Sequence, residues 1–171
     1  MAGTKKVHLR APEPSDIDAL YLWENSSETW RVSFNDGPVS RHQLWQYIEN
    51  YSPDIAAHGQ LRLIITDQDG TPEGTVDLSD YSHRHRRAQL GVYVAPRFRG
   101  KGVAADAVSQ ICEYARDTIG LHQIYAMCAI DNRASENMLR SAGFESCGRI
   151  RSYLRLQRDS YTDVLLFQKI L

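Results

Sequence analysis

The chain holds 171 residues, 42% hydrophobic and 24% charged, a balance that excludes a disordered protein. Its 20 Lys and Arg oppose 21 Asp and Glu for a net charge of -1, which argues against a general nucleic-acid binder or a membrane-surface protein. One domain over residues 1–171 is expected from the length, and no apolar run approaches the ~18 residues of a membrane span.

Lys5 and Lys6 precede no apolar stretch, so the N-terminus does not read as a secretory signal. Val7 to Arg10 alternates as a first strand, and Pro12 and Pro14 break it. Ser15 is expected to cap a helix with Asp16 and Asp18 in its first turn, continued by Ile17, Leu20, Tyr21 and Trp23 or Glu24. Trp30 to Val39 reads as a loop, and Ser40 caps a second helix with Leu44, Tyr47, Ile48 and Tyr51 at helical spacing. These elements suit one wall of a cleft, and core or edge packing is the alternative for Trp23, Trp30 and Trp45.

Gln60 to Thr66, Glu73 to Tyr81 and Ala88 to Val94 read as strands of an antiparallel meander, joined by Asp67-Gln68-Asp69-Gly70 and by the polar turn His83 to Arg87. Gly102 to Thr118 follows as a helix with Val103, Ala107, Ile111 and Ala115 on one face, ended by Gly120. Then come a strand at Gln123 to Ala129 and a helix at Asn132 to Ala142, stopped by Gly143. Phe144 to Leu156 and Tyr161 to Leu171 close the chain as two strands around Gln157 to Ser160. The fold class is α+β, with a strand–helix–strand crossover inside a mostly antiparallel sheet of about seven strands. Cys112, Cys128 and Cys147 are an odd set in apolar surroundings, read as buried free thiols of a cytoplasmic protein.

The stretch that carries chemistry runs from Val92 to Ala104. A strand ends, two glycines follow at Gly100 and Gly102, and a helix starts at once. Glycines let the backbone approach a ligand, and the unsatisfied first-turn N–H groups of a helix attract an anion such as a pyrophosphate. Arg97, Arg99 and Lys101 add positive charge. Three readings compete: a plain glycine turn, a dinucleotide fingerprint in Gly100-x-Gly102-x-x-Ala105, and a coenzyme A pyrophosphate loop. The fingerprint belongs to the first turn of a parallel sheet, and this loop follows three antiparallel strands. No P-loop pattern is present. His83-x-His85 offers too few ligands for a metal, so no metal site is expected.

Arg97-x-x-Gly100-x-Gly102 after a strand resembles the pyrophosphate motif of the GCN5-related N-acetyltransferases (GNAT), [QR]-x-x-G-x-[GA]. Asp131-Asn132-x-x-Ser135 followed by Gly143-Phe144 resembles that family's second signature, at the family's spacing. Val76-Asp77-Leu78, His85 to Ala88, Leu121 to Tyr125 and Tyr161-x-Asp163 are similar to the branch with bacterial ribosomal-protein N-terminal acetyltransferases and spermidine N-acetyltransferase. So are Leu9 to Pro12 with Asp16.

The resemblance implies an open sheet with a V-shaped gap and acetyl transfer from acetyl-CoA to a primary amine, either a protein N-terminus or a polyamine or other small amine. It implies that Val92 and Val94 bind the pantetheine arm and that the N–H of Tyr93 or a neighbour holds the oxyanion. Arg97 and the run Arg99, Gly100, Lys101, Gly102, Val103 and Ala104 would wrap the pyrophosphate, and Asn132 would contact the cofactor arm. Asp77 is the carboxylate placed to act as base, with Asp80, Glu73, His83 and His85 as others. The family's usual tyrosine acid is replaced by Leu139, which leaves Ser135 either to assist the departing thiolate or to contact the cofactor without chemistry. Tyr93 and Tyr153 are further phenols. That replacement also supports an alternative, a coenzyme A-binding module without transferase activity. Neither direct nucleic-acid nor membrane partners are expected, and a homodimer is left open.

Overall fold

A computed structural model describes residues 5–30 and 37–171. The loop expected between Trp30 and Val39 lies mostly outside the described residues. Among the described residues, seven strands form one sheet: β1 (His8–Arg10), β2 (Leu61–Thr66), β3 (Pro72–Ser82), β4 (Arg87–Val94), β5 (Gln123–Ala129), β6 (Glu145–Gln157) and β7 (Ser160–Ile170). Their spatial order is β1-β2-β3-β4-β5-β7-β6. Every neighbouring pair is antiparallel except β4–β5, which is parallel. A parallel pair needs a crossover. Here that crossover contains α5 (Val103–Tyr114), as the order of elements predicts. The other helices are α1 (Ile17–Glu24), α2 (Ser27–Trp30), α3 (Arg41–Glu49), α4 (Ile55–His58) and α6 (Arg133–Ser141).

Strand alternation sorts two faces. Leu61 and Ile65 of β2 join Val76 and Leu78 of β3, Leu90 of β4, and Val103, Ala107, Val108 and Ile111 of α5 in the main core. Ile64, one residue out of phase, packs with Leu20 of α1 and Leu44 of α3 on the opposite face. Each fully buried Leu or Ile of this kind stabilises the fold by about 1.5–3 kcal/mol. α3 starts with a capping box: Ser40 Oγ accepts from Gln43 N–H, and the Gln43 side chain accepts from Ser40 N–H. Asn25 ties the end of α1 to the approach of α3, donating to Val39 O and accepting from Val39 N–H, both at 2.9 Å.

Several local expectations are corrected. Ser15 does not cap α1. A 3-10 turn at Pro14–Asp16 precedes the helix, and the buried Asp16 carboxylate takes Glu13 N–H at 2.8 Å and both terminal nitrogens of Arg10. The helix expected to reach Thr118 is regular only to Tyr114, continues as a wide π turn over Ala115–Ile119, and ends at Gly120. α4 was not expected. Asp54 caps it through Ala56 and Ala57 N–H, and Gly59, at φ 71°, stops it. Cys112 and Cys128 are buried, but Cys147 is exposed because β6, the sheet's outer strand, has all residues except Leu154 exposed. Among the described residues, no helix is long and apolar enough to cross a membrane.

Candidate active site

β4 and β5 pair only at Arg87↔Gln123, Ala88↔Ile124 and Gln89↔Tyr125, although both strands run on to Val94 and Ala129. β4 meanwhile stays paired with β3 as far as Gly74↔Val94. One edge of β4 is therefore open from Leu90 onward, and the two parallel strands diverge as a V. A clasp across three strands holds its closed end. The Asp80 carboxylate of β3 accepts from Arg87 of β4 at 2.9 Å and from the Tyr125 hydroxyl of β5. Burial, followed by the Asp80 contact, pushes the Tyr125 phenol up to about 12.

The ladder decides which groups of β4 face the V. Ala95 N–H donates to Glu73 O at 2.8 Å, so residue 95 is turned towards β3. Backbone groups of a strand alternate sides. Tyr93 and Gly91 therefore also address β3, while the N–H and C=O groups of Val92 and Val94 address the opening. The Tyr93 N–H, expected along with its neighbours for an oxyanion, is committed to the β3 ladder, so only the N–H groups of Val92 and Val94 face the opening. Gly74 permits the close approach behind this edge: a Cβ built on it would lie 2.0 Å from the Tyr93 carbonyl oxygen.

Beyond Val94 the chain makes a 3-10 turn at Pro96–Phe98 and enters α5 through Gly100 (φ 71°) and Gly102 (φ 82°). Both angles lie where side chains carrying a Cβ are disfavoured. Gly102 is the N-cap and supplies no side-chain oxygen, so nothing of its own caps the first turn of α5. The guanidinium of Arg97 lies 4.5 Å from the Phe98 ring centroid, and Lys101 Nζ donates to Arg97 O at 3.0 Å. Arg99 is committed elsewhere. It donates to both Glu28 oxygens at 2.7 and 2.9 Å and, through Nε, to Val94 O at 2.8 Å. This pairing holds the Glu28 carboxyl below its usual range and raises Arg99.

Over the opposite face, the Trp23 ring of α1 meets Tyr93 at 5.7 Å between centroids. Trp45 is largely exposed. Asp77 lies across from Gly91, where β4 has just parted from β5, and a Cβ on Gly91 would sit 3.7 Å from Asp77 Oδ2. Asp77 is not an open carboxylate: Arg62 of β2 donates to its two oxygens at 2.8 and 3.2 Å and to Glu24 of α1 at 2.6 Å. The charge of Asp77, outweighing burial, raises the Arg62 guanidinium, and Glu24 adds to this. The other base candidates lie elsewhere. Asp80 is in the clasp, Glu73 is fully buried against Lys5, and His83 shares a hydrogen bond with the Tyr81 hydroxyl on the outer turn.

β4 and β5 are parallel, so the segment after Ala129 leaves the sheet at the same end as the glycine loop. There Asn132 caps α6, its Oδ1 accepting from Ser135 N–H at 3.1 Å. Ser135 is half-buried on the first turn, and Asn132 is exposed. Leu139, at the tyrosine position, is 2% exposed and belongs to the core, so no acid can act from there. Tyr153 stands exposed on the outer strand β6. The sequence motifs thus converge on the two lips of the V. The partners of Asp77 and Arg99 were not legible, because Arg62, Glu24 and Glu28 belong to no motif.

The family model for the acetyltransferase (GNAT) domain matches residues 6–145, which contain both lips of the V. The chain belongs to the GNAT family. Spermidine N(1)-acetyltransferase of Escherichia coli K12 is 24% identical over 150 residues, 88% of this chain and 78% of that protein. An uncharacterized N-acetyltransferase of Bacillus subtilis, YoaA, is 27% identical over 88% of this chain and 86% of its own. Among solved structures, the spermidine N-acetyltransferase of Vibrio cholerae in complex with CoA and spermine superposes with a TM-score of 0.85. That match is 23% identical and covers 96% of this chain and 95% of the other. This GNAT protein is an N-acetyltransferase that uses acetyl-CoA as cosubstrate. The open β4 edge and the side-chain-free start of α5 suit a ligand with amide groups followed by a diphosphate.

Proposed function

We propose that the acceptor is a primary amine presenting a single charge, the α-amine of a protein or peptide. One observation carries this reading: the carboxylates of α1 and β3 are engaged by arginines rather than left open. Asp18 pairs with Arg41, and Glu24 and Asp77 share Arg62. Such a wall offers little net attraction to a polycation. An α-amine has a pKa of ~7.7–8.0 and is substantially neutral near pH 8, whereas a lysine-like amine at ~10.4 demands a stronger base. That fits a site whose β3 carboxylate, Asp77, already serves Arg62.

In this reading the arm of acetyl-CoA pairs with β4 through Val92 and Val94, and an N–H on that edge polarises the thioester carbonyl. The first turn of α5, with Arg97 and Lys101, holds the diphosphate. The amine nitrogen attacks the carbonyl carbon, the C–S bond breaks, and the thiolate receives a proton. Ser135, at the start of α6, is the hydroxyl available to hydrogen-bond the departing sulfur, with Asn132 fixing its helix. Asp77, through water, is the group available to take the amine's proton. A polyamine acceptor is the second reading, favoured by the spermidine acetyltransferases among the relatives.

One catalytic domain then spans the chain, in a cytoplasm where the buried Cys112 and Cys128 stay reduced. A homodimer is supported by the exposed outer strand β6, which leaves Ile150, Tyr153 and Leu156 in solvent; a monomer mass in sedimentation would remove it. The deciding experiment follows thiol release from acetyl-CoA with peptides, monoamines and spermidine. Peptide α-amines should exceed spermidine in kcat/KM by about tenfold or more, a difference of about 1.4 kcal/mol. A preference for spermidine would establish the polyamine reading, and no release with any amine would favour a coenzyme A-binding module.

A further inference from the structure

We propose that Glu28 is a positioning residue for the cofactor site: it holds Arg99 across the open edge of β4, and entry of the cofactor exchanges this carboxylate for the diphosphate. The inference rests on acetyl-CoA occupying the β4 edge and the glycine loop.

The geometry makes the two states compete at one atom. Val94 O faces the opening, and a strand-like arm needs that acceptor. Arg99 Nε occupies it at 2.8 Å while the rest of the guanidinium grips Glu28 with two further bonds. The guanidinium also lies 5.8 Å from the Tyr93 ring centroid, so it covers the lip itself. An arm that pairs with Val94 competes with Nε for that oxygen and with the guanidinium for the space over the edge. The displaced side chain is rooted directly after Phe98, in the glycine loop that leads into α5, where the diphosphate is expected. Guanidinium forks bind phosphate oxygens in the same two-bond manner as a carboxylate, and a diphosphate carries more charge than one glutamate.

The exchange has a consequence for the other substrate. Glu28 belongs to α2, on the amine-side wall, 71 residues away in sequence. While Arg99 holds Glu28, α2 is tied to the cofactor loop, and cofactor binding loosens that tie. Both side chains are about half exposed, 42% for Arg99 and 57% for Glu28, so the hold is weak enough to exchange and should be salt-sensitive. Linkage is reciprocal: whatever stabilises the pair must weaken the cofactor by the same factor.

The test is Glu28→Gln, with CoA affinity measured by calorimetry at low and at high salt. Removing the competing charge should tighten CoA binding about 2- to 5-fold at low salt, the range of exposed ion pairs. The gain should shrink in molar salt, and Glu28→Asp should restore the wild-type value. In the wild type, CoA should speed amide hydrogen exchange over residues 27–30, and in Glu28→Gln that response should vanish. Unchanged or weaker CoA binding in Glu28→Gln, with a wild-type melting temperature, overturns the proposal. A wild-type protein that binds no CoA overturns instead the cofactor assignment on which the proposal stands.

Discussion

Replacing Gly74 by alanine puts one methyl group where the sheet has no room for it. The new Cβ would lie 2.0 Å from Tyr93 O and 3.0 Å from both Tyr93 C and Val94 Cα, all main-chain atoms that no rotamer change can move. A carbon and a carbonyl oxygen meet comfortably at about 3.3 Å, so β3 and β4 must separate by roughly 1 Å. The Ala95 N–H to Glu73 O bond, now 2.8 Å, lies at the next pair along and would stretch beyond useful length. Overpacking costs about 1–3 kcal/mol and a lost buried hydrogen bond about 1 kcal/mol, together about 3 kcal/mol. For a chain of this size each kcal/mol lowers Tm by about 2–4 °C, so scanning calorimetry should show a fall of about 6–12 °C. CoA affinity should fall too, because Val92 and Val94 move with the strand. A Tm within about 1 °C of wild type would refute the close approach of β3 and β4 at this pair.

Gly102→Glu adds a Cβ at φ 82° and a negative charge at the start of α5. Calorimetry should show CoA affinity reduced by about tenfold or more with the fold retained, and an unchanged affinity would move the cofactor away from this loop. Ser135→Ala should lower kcat by about tenfold while CoA affinity barely changes, if the hydroxyl assists the departing sulfur. An equal kcat reduces Ser135 to a contact. Asp163→Asn tests an ion-paired carboxylate on β7. Ser152 N–H, then Arg149, hold the Asp163 carboxyl below its usual value. A depressed folded value means stability present above the unfolded value of ~3.9 and lost as pH falls through the folded one. The wild-type Tm should therefore drop more steeply than the variant's below about pH 4, and a steeper drop in the variant would contradict the assignment.

Much of the fold was legible because its signals are local. Gly120 and Gly143 mark helix ends, Ser40 with Gln43 marks a start, and the change of period after Pro96 marks the crossover. Both signatures were legible for the same reason: Gly100 and Gly102 must take left-handed angles beside Val94, and Asn132 must cap α6. α4 was not, since four residues show no periodicity, although Asp54 and Gly59 bracket them. Ser15 stands where a cap is expected, yet it lies inside a 3-10 turn that the buried Asp16 carboxylate holds through three donors from Arg10 and Glu13 N–H. Which N–H groups of β4 face the opening depends on ladder phase, which a strand's sequence does not encode. The partners of Asp77 and Arg99 come from Glu24, Arg62 and Glu28, brought together only by folding. The side-chain environment of both residues was therefore hidden until the sheet and α1–α3 were assembled.

If the free edge of β4 receives the acyl carrier as an extra strand, with the diphosphate on α5, residue-resolved amide exchange with and without CoA will show it. New protection should appear at Val92 and Val94 and at the first turn, Val103 to Ala105, while Tyr93, already bonded within the sheet, should show no gain. Protection confined to other surfaces, or a gain at Tyr93 without one at its two neighbours, would contradict the account.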